Sequence, residues 1–175
     1  MNSNDFIERA KKYLPTATLE QSGIFYKNLL EKNFDKKIIR ELALIDRWFL
    51  LVILLNRKDA VHHWLYDRCR EVEENPDSHL DLWARGHYKS TLITYAGSIQ
   101  EILKNPNITI GIFSHTRPIA KGFLKQIKRE FEVNEFLRDL FPDIVYKNPR
   151  QDSPQWGEDA GIIVQRKSNP KEATV

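Results

Sequence analysis

Hydrophobic positions follow two regimes along the chain. Up to residue 78 they recur at helical spacing, and from residue 79 short apolar runs alternate with helical stripes. In the first regime Ser3 or Asn4 caps a helix that runs to about Leu14 and stops at Pro15. Residues 18–33 read as a second helix. Asp35 caps a third over residues 36–55, which is very apolar toward its end. Residues 60–74 form a fourth, with Trp64, Leu65 and Val72 expected in the core, and Asn75-Pro76-Asp77 closes the arm.

The second regime opens with a strand over Leu80–Ala84 and a helix over Ser90–Leu103, followed by an Asn105-Pro106-Asn107 turn. Ile108–Ser114 (ITIGIFS) is a nearly continuous apolar run of the kind that forms buried parallel strands. Pro118 suits the first turn of the next helix. On that helix Ala120, Phe123, Leu124, Ile127 and Phe131 share an apolar stripe, and Lys121, Lys125 and Lys128 lie on another face. A short helix over about Val133–Leu140, an irregular stretch over 141–160 and a third strand over Gly161–Arg166 complete the reading. Strand–helix–strand with short turns implies a right-handed βαβ crossover. The expected fold class is therefore α/β. A helical region over 1–78 precedes a partial P-loop NTPase domain with a parallel sheet over 79–175.

The chemistry gathers at the first strand–helix junction, Arg85-Gly86-His87-Tyr88-Lys89-Ser90-Thr91. A helix start offers unpaired N–H groups and the positive end of its dipole to phosphate. Lys89 is expected to neutralise β/γ-phosphate charge, Ser90 to hold Mg²⁺ and Thr91 to touch phosphate. Gly86 supplies the loop's conformational freedom. Compared with G-x-x-x-x-G-K-[ST], Trp83 and Tyr88 stand where the two glycines belong. The same residues also suit a plain strand-to-helix turn with a surface lysine and a hydroxyl cap.

The stretch WARGHYKST resembles the loop (A/P/S)-R-G-x-x-K-S-T of the large terminase subunit of tailed bacteriophages. The resemblance runs from about Ile45 onward. It takes in LWARG, ITIGIFSHTRPIAKGFLKQIKREFE, LFPDI, Trp156 ahead of Ile162–Val164, and SNPKEATV. It implies an ATP-driven motor that packages double-stranded DNA, with ATP and Mg²⁺ as cofactors. The phosphate site would be Gly86, His87, Tyr88, Lys89, Ser90 and Thr91. Arg85 would stabilise charge during phosphoryl transfer, contact phosphate in the ground state, or give way to an arginine from a neighbouring subunit. The implied partners are DNA, a small terminase subunit and a portal, with a homo-oligomeric ring in the bacterial cytoplasm.

Hydrolysis also needs an acidic pair at the end of another strand. No apolar run after the loop ends that way, since Ile162-Ile163-Val164 continues into Gln165-Arg166. Leu42–Asp46 has the look but precedes the loop and reads helical. Residues 79–175 are thus expected to be the first half of an ATPase domain, ending before the acidic Walker B strand, and to hydrolyse ATP poorly or not at all. Two other readings stand beside this one. One is a non-catalytic binding module or remnant, and the other a different P-loop ATPase of helicase-like type.

Composition changes little. The chain has 175 residues, a net charge of +3 and 41% hydrophobic residues, as an ordinary globular protein does. The basic excess gathers between 116 and 150, where a solvated helix face explains it better than an anionic partner does. Cys69 is the sole cysteine, which excludes an internal disulfide or a cysteine-based zinc site and suits a reducing cytoplasm. Trp48–Leu55 is the longest strongly apolar run and far too short for a bilayer, so no membrane role is expected. His62-His63 has no partner at zinc spacing, and the four tryptophans read as core or loop anchors.

Overall fold

The computed structural model describes residues 3–32, 35–75, 80–168 and 172–175. The chain forms two compact units, Met1–Lys89 and Ser90–Val175.

Unit 1 is helical: α1 (Ser3–Tyr13), α2 (Leu19–Lys32), α3 (Lys36–Ile45), α4 (Arg47–Phe49) and α5 (His63–Glu74). Pro15 stops α1 and sits in a 3₁₀ turn, Leu14–Thr16, as its missing N–H requires. Asp35 caps α3 by accepting from the Lys37 amide at 2.9 Å. The single helix expected over 36–55 is instead broken at Asp46. This residue takes an extended conformation (φ −132°, ψ 102°) and caps α4 by accepting from the Phe49 amide at 3.0 Å. Beyond Phe49 the chain widens into a π-helical turn, Leu50–Leu54. The closing turn expected at Asn75-Pro76-Asp77 lies outside the described residues from Pro76 on.

Asp46 is 1% exposed, so its charge must be matched from within. The Tyr26 hydroxyl donates to it at 2.5 Å, and Arg70 donates from both Nη atoms at 3.0 and 3.2 Å. Glu73 accepts from Arg70 at 2.8 Å and from the Arg47 amide at 2.5 Å. Burial, with Asp46 close by, pushes the Glu73 carboxyl above its usual range. Trp48, Phe49, Leu50 and Leu51 pack beneath, with Trp48 edge-on to Tyr66 at 5.4 Å.

Unit 2 starts with a wide π-helical segment, Ser90–Gly97, that runs into α6 (Ser98–Lys104). Then come α7 (Arg117–Val133), α8 (Glu135–Leu140) and α9 (Pro149–Asp152). Leu124, Ile127 and Phe131 of the expected stripe are buried, and Pro118 lies in the first turn of α7. Glu132 on α7 ties in the distal segments. It accepts from Arg150 through two bonds of 3.0 Å and from the Trp156 indole at 2.8 Å, and Arg150 holds its carboxyl below the usual range. The described strands are β1 (Trp156–Gly157) and β2 (Gly161–Ile162), paired antiparallel with Trp156 opposite Ile162. Gly161 needs its lack of a side chain. Its φ is +93°, and a Cβ there would lie 2.3 Å from the Val175 carbonyl oxygen.

The α/β expectation is therefore corrected: the described chain is mostly helical with one two-stranded antiparallel sheet and no parallel βαβ unit. Leu80–Ala84 forms no strand, and Leu80 and Leu82 are 79% and 84% exposed. Ile108–Ser114 carries the apolar composition of a buried strand but not its burial. Ile108, Ile110 and Ile112 are half-buried, while Thr109, Gly111 and Phe113 face solvent. Of Gly161–Arg166 only the first two residues are strand, and their partner is antiparallel. Apolar content alone does not say whether a run finds a sheet neighbour. Among the described residues no helix is long and apolar enough to cross a membrane.

Candidate functional site

The residues singled out from sequence lie at the end of unit 1 and the start of unit 2. Arg85, Gly86 and His87 are exposed, and Tyr88, Lys89, Ser90 and Thr91 are half-buried. Gly86 has φ +83°, the left-handed conformation that glycine adopts without penalty. Tyr88 has φ +57°, which an aromatic side chain adopts only under constraint. The His87 ring Nδ1 lies 3.1 Å from the Arg85 carbonyl and braces this turn. The Lys89 ammonium reaches back to the Asp81 carbonyl, a long contact of 3.5 Å. Ser90 and Thr91 open the π-helical segment of unit 2.

Gly86, His87 and Tyr88 line an open cleft of about 840 Å³ within unit 1. Its other walls come from Asp59, Val61 and His62, from Trp64 and Arg68 on α5, and from Trp83. Trp64 stands edge-on to Trp83 at 5.1 Å and to His87 at 5.6 Å, with interplanar angles of 72° and 77°. Such edge-to-face packing is a favourable aromatic arrangement. Trp64, expected in the core, is 38% exposed. Trp48 and Trp156 do act as core and anchor residues, but Trp64 and Trp83 form the cleft's aromatic wall. The signal available in the sequence was the helix start: His62 caps α5 by accepting from the Trp64 amide at 3.1 Å, which fixes Trp64 in the first turn.

Charge around the cleft is mostly paired. Arg68 bonds Glu71 one turn along α5. Arg57 grips Asp59 with two bonds of 2.9 and 2.8 Å, and this pairing holds the Asp59 carboxyl down at about 2. His63 meets Glu20 at 3.0 Å. Among the described residues no three His, Cys, Asp or Glu side chains converge to hold a metal ion.

No family model matches the chain, and no curated protein or solved structure matches it either. The resemblance to the terminase large subunit is corrected on both grounds. It finds no relative, and the parallel sheet on which a P-loop and Walker A helix are mounted is absent from the described residues. The packaging-motor reading, and with it the P-loop and Walker A assignment of Gly86–Thr91, falls with that sheet.

Proposed function

We propose that the chain is a non-catalytic binding module whose helical unit takes a planar, anionic small molecule of the nucleotide class in the Trp64–Trp83 cleft. The observation that carries this reading is the pair of indoles standing edge-on beside an open volume. A purine ring can stack on an exposed indole face, and such stacking contributes about 1–3 kcal/mol per base. Lys89 supports the anionic part. Among the described residues its ammonium meets the Asp81 carbonyl in a long 3.5 Å contact, which a phosphate oxygen outcompetes as a charged acceptor. ATP is the natural first probe. No hydrolysis is expected, because among the described residues no carboxylate set for metal or water activation accompanies the loop.

Tryptophan fluorescence with adenosine, ATP and inorganic tripolyphosphate tests the reading. Adenosine and ATP should quench, and tripolyphosphate should not. Trp64→Ala should weaken binding of adenosine and of ATP by at least tenfold, and Lys89→Ala should bring ATP down to the level of adenosine. Unchanged fluorescence with all three probes at millimolar concentration would overturn the proposal.

A further inference from the structure

Tyr88 is held in a conformation that its side chain disfavours. At φ +57° the Cβ crowds the backbone, so something must pin the residue there. The turn at residues 57–60 supplies a fixed base. The Arg57 amide donates to the Leu51 carbonyl at 3.0 Å, and the Arg57 carbonyl accepts from the Ala60 amide at 3.0 Å. Leu51 and Ala60 are buried, 1% and 0% exposed. From that base the Arg57 guanidinium makes two contacts of different kinds. Its fork holds Asp59 bidentately at 2.9 and 2.8 Å, and its Cζ lies over the Tyr88 ring, 5.9 Å from the centroid. Asp59 and Tyr88 both line the cleft.

We infer that Arg57 is a positioning residue: oriented by Asp59, it clasps the Tyr88 ring and so fixes the Gly86–Tyr88 wall of the cleft in its ligand-ready shape. This rests on the cleft being the binding site. The roles divide by chemistry. Asp59 sets the plane of the guanidinium through two parallel bonds, which a lysine cannot reproduce. The oriented cation attracts the face of the ring, and the Tyr88 hydroxyl adds a bond to Asp59. With the clasp gone, Tyr88 relaxes toward negative φ, and the wall carrying His87 turns with it.

Two readouts on the full chain test the clasp. The first is amide hydrogen exchange over residues 85–89 without ligand. Arg57→Ala and Tyr88→Leu should each speed exchange there by about three- to tenfold, the range of one cation–π contact. Tyr88→Phe keeps the ring but loses the hydroxyl's bond to Asp59, and should fall between wild type and Tyr88→Leu. Arg57→Lys keeps the charge, loses the fork and should behave as Arg57→Ala does. The second readout is adenosine affinity, which should fall in the same variants by the same factors. A role of Tyr88 in mere packing predicts that Phe and Leu behave alike, and that result overturns the clasp. Unchanged exchange in Arg57→Ala overturns it as well. Should wild type fail to bind adenosine, the cleft reading falls, and the exchange data decide the clasp by themselves.

Discussion

Unit 1 holds two polar clusters built on opposite principles. Around Asp46 the charges are buried, interlocked and strongly perturbed: burial and the neighbouring Asp46 charge raise the Tyr26 hydroxyl, and burial raises Glu73. Around the Trp64–Trp83 cleft the charged groups are largely exposed or paired, and Trp64 is 38% exposed. Perturbed ionisation often marks function. Here it marks the joint between α3, α4 and α5, where one aspartate both caps a helix and receives an arginine. At the cleft the one strong shift, that of Asp59, comes from its surface pairing with Arg57 and not from burial, and the cleft is the part with room for a ligand. Strong electrostatics and chemical opportunity have separated within one small unit.

Removing Asp46 should have the largest effect. Asp46→Ala leaves Arg70 buried without its two bonds to Asp46 and uncaps α4, a loss of about 3–5 kcal/mol. Urea unfolding would register it. A loss below about 1 kcal/mol would put the two clusters on one footing and end the comparison. Next come two glycines. Gly161→Ala should lose about 2–3 kcal/mol, because left-handed backbone and a Cβ 2.3 Å from Val175 both oppose it. Gly86→Ala at the cleft has the same sign of φ but nothing within 4 Å, so only the backbone term of about 1 kcal/mol applies. Equal losses would mean that the cleft loop is as tightly packed as the β1–β2 hairpin.

Much of unit 1 was legible in the sequence because helix signals are local. Asp35 caps, Pro15 stops a helix, and Leu65 and Val72 fall on the buried side of α5. The break at Asp46 was not, because an extended residue between two apolar helices is decided by a partner 24 residues away, Arg70. Strands failed for the same reason. ITIGIFS has β-branched apolar composition, but a strand exists only where another chain segment lines up with it. Ile110 donates to the Thr174 carbonyl at 2.9 Å and no continuous ladder follows. At the site, the loop's glycine was legible, since Gly86 does adopt positive φ. The aromatic wall was not, because Trp64 and Trp83 meet only after α5 and the following chain are placed.

The clusters should also part in their response to pH. The Asp59 carboxyl sits at about 2 against an ordinary 3.8, so its stabilisation is present above about pH 4 and is lost as pH falls through 2. Glu73 is raised from its ordinary 4.5, so its contribution is full below that value and fades as pH rises through the folded value. Wild type minus Asp59→Asn should therefore narrow between pH 5 and pH 3. Glu73→Gln should gain on wild type between pH 4 and pH 7. Urea midpoints at those values measure both, and slopes of the same sign would refute the assignment of Glu73 to the buried cluster.

The finest expected difference concerns Tyr88. Both Tyr88→Ala and Tyr88→Gly delete the ring and its contact with Arg57, so the comparison between them isolates the backbone. At ordinary negative φ glycine is the less stable of the two, because it loses more freedom on folding. At φ +57° the order reverses, since alanine keeps a Cβ that crowds the backbone and glycine has none. Tyr88→Gly should therefore be more stable than Tyr88→Ala by about 1 kcal/mol, a small shift in urea midpoint with unchanged slope. If alanine is instead the more stable, Tyr88 is not strained in solution. The cleft would then be a relaxed surface feature, and its loop would have lost what sets it apart from the interlocked cluster around Asp46.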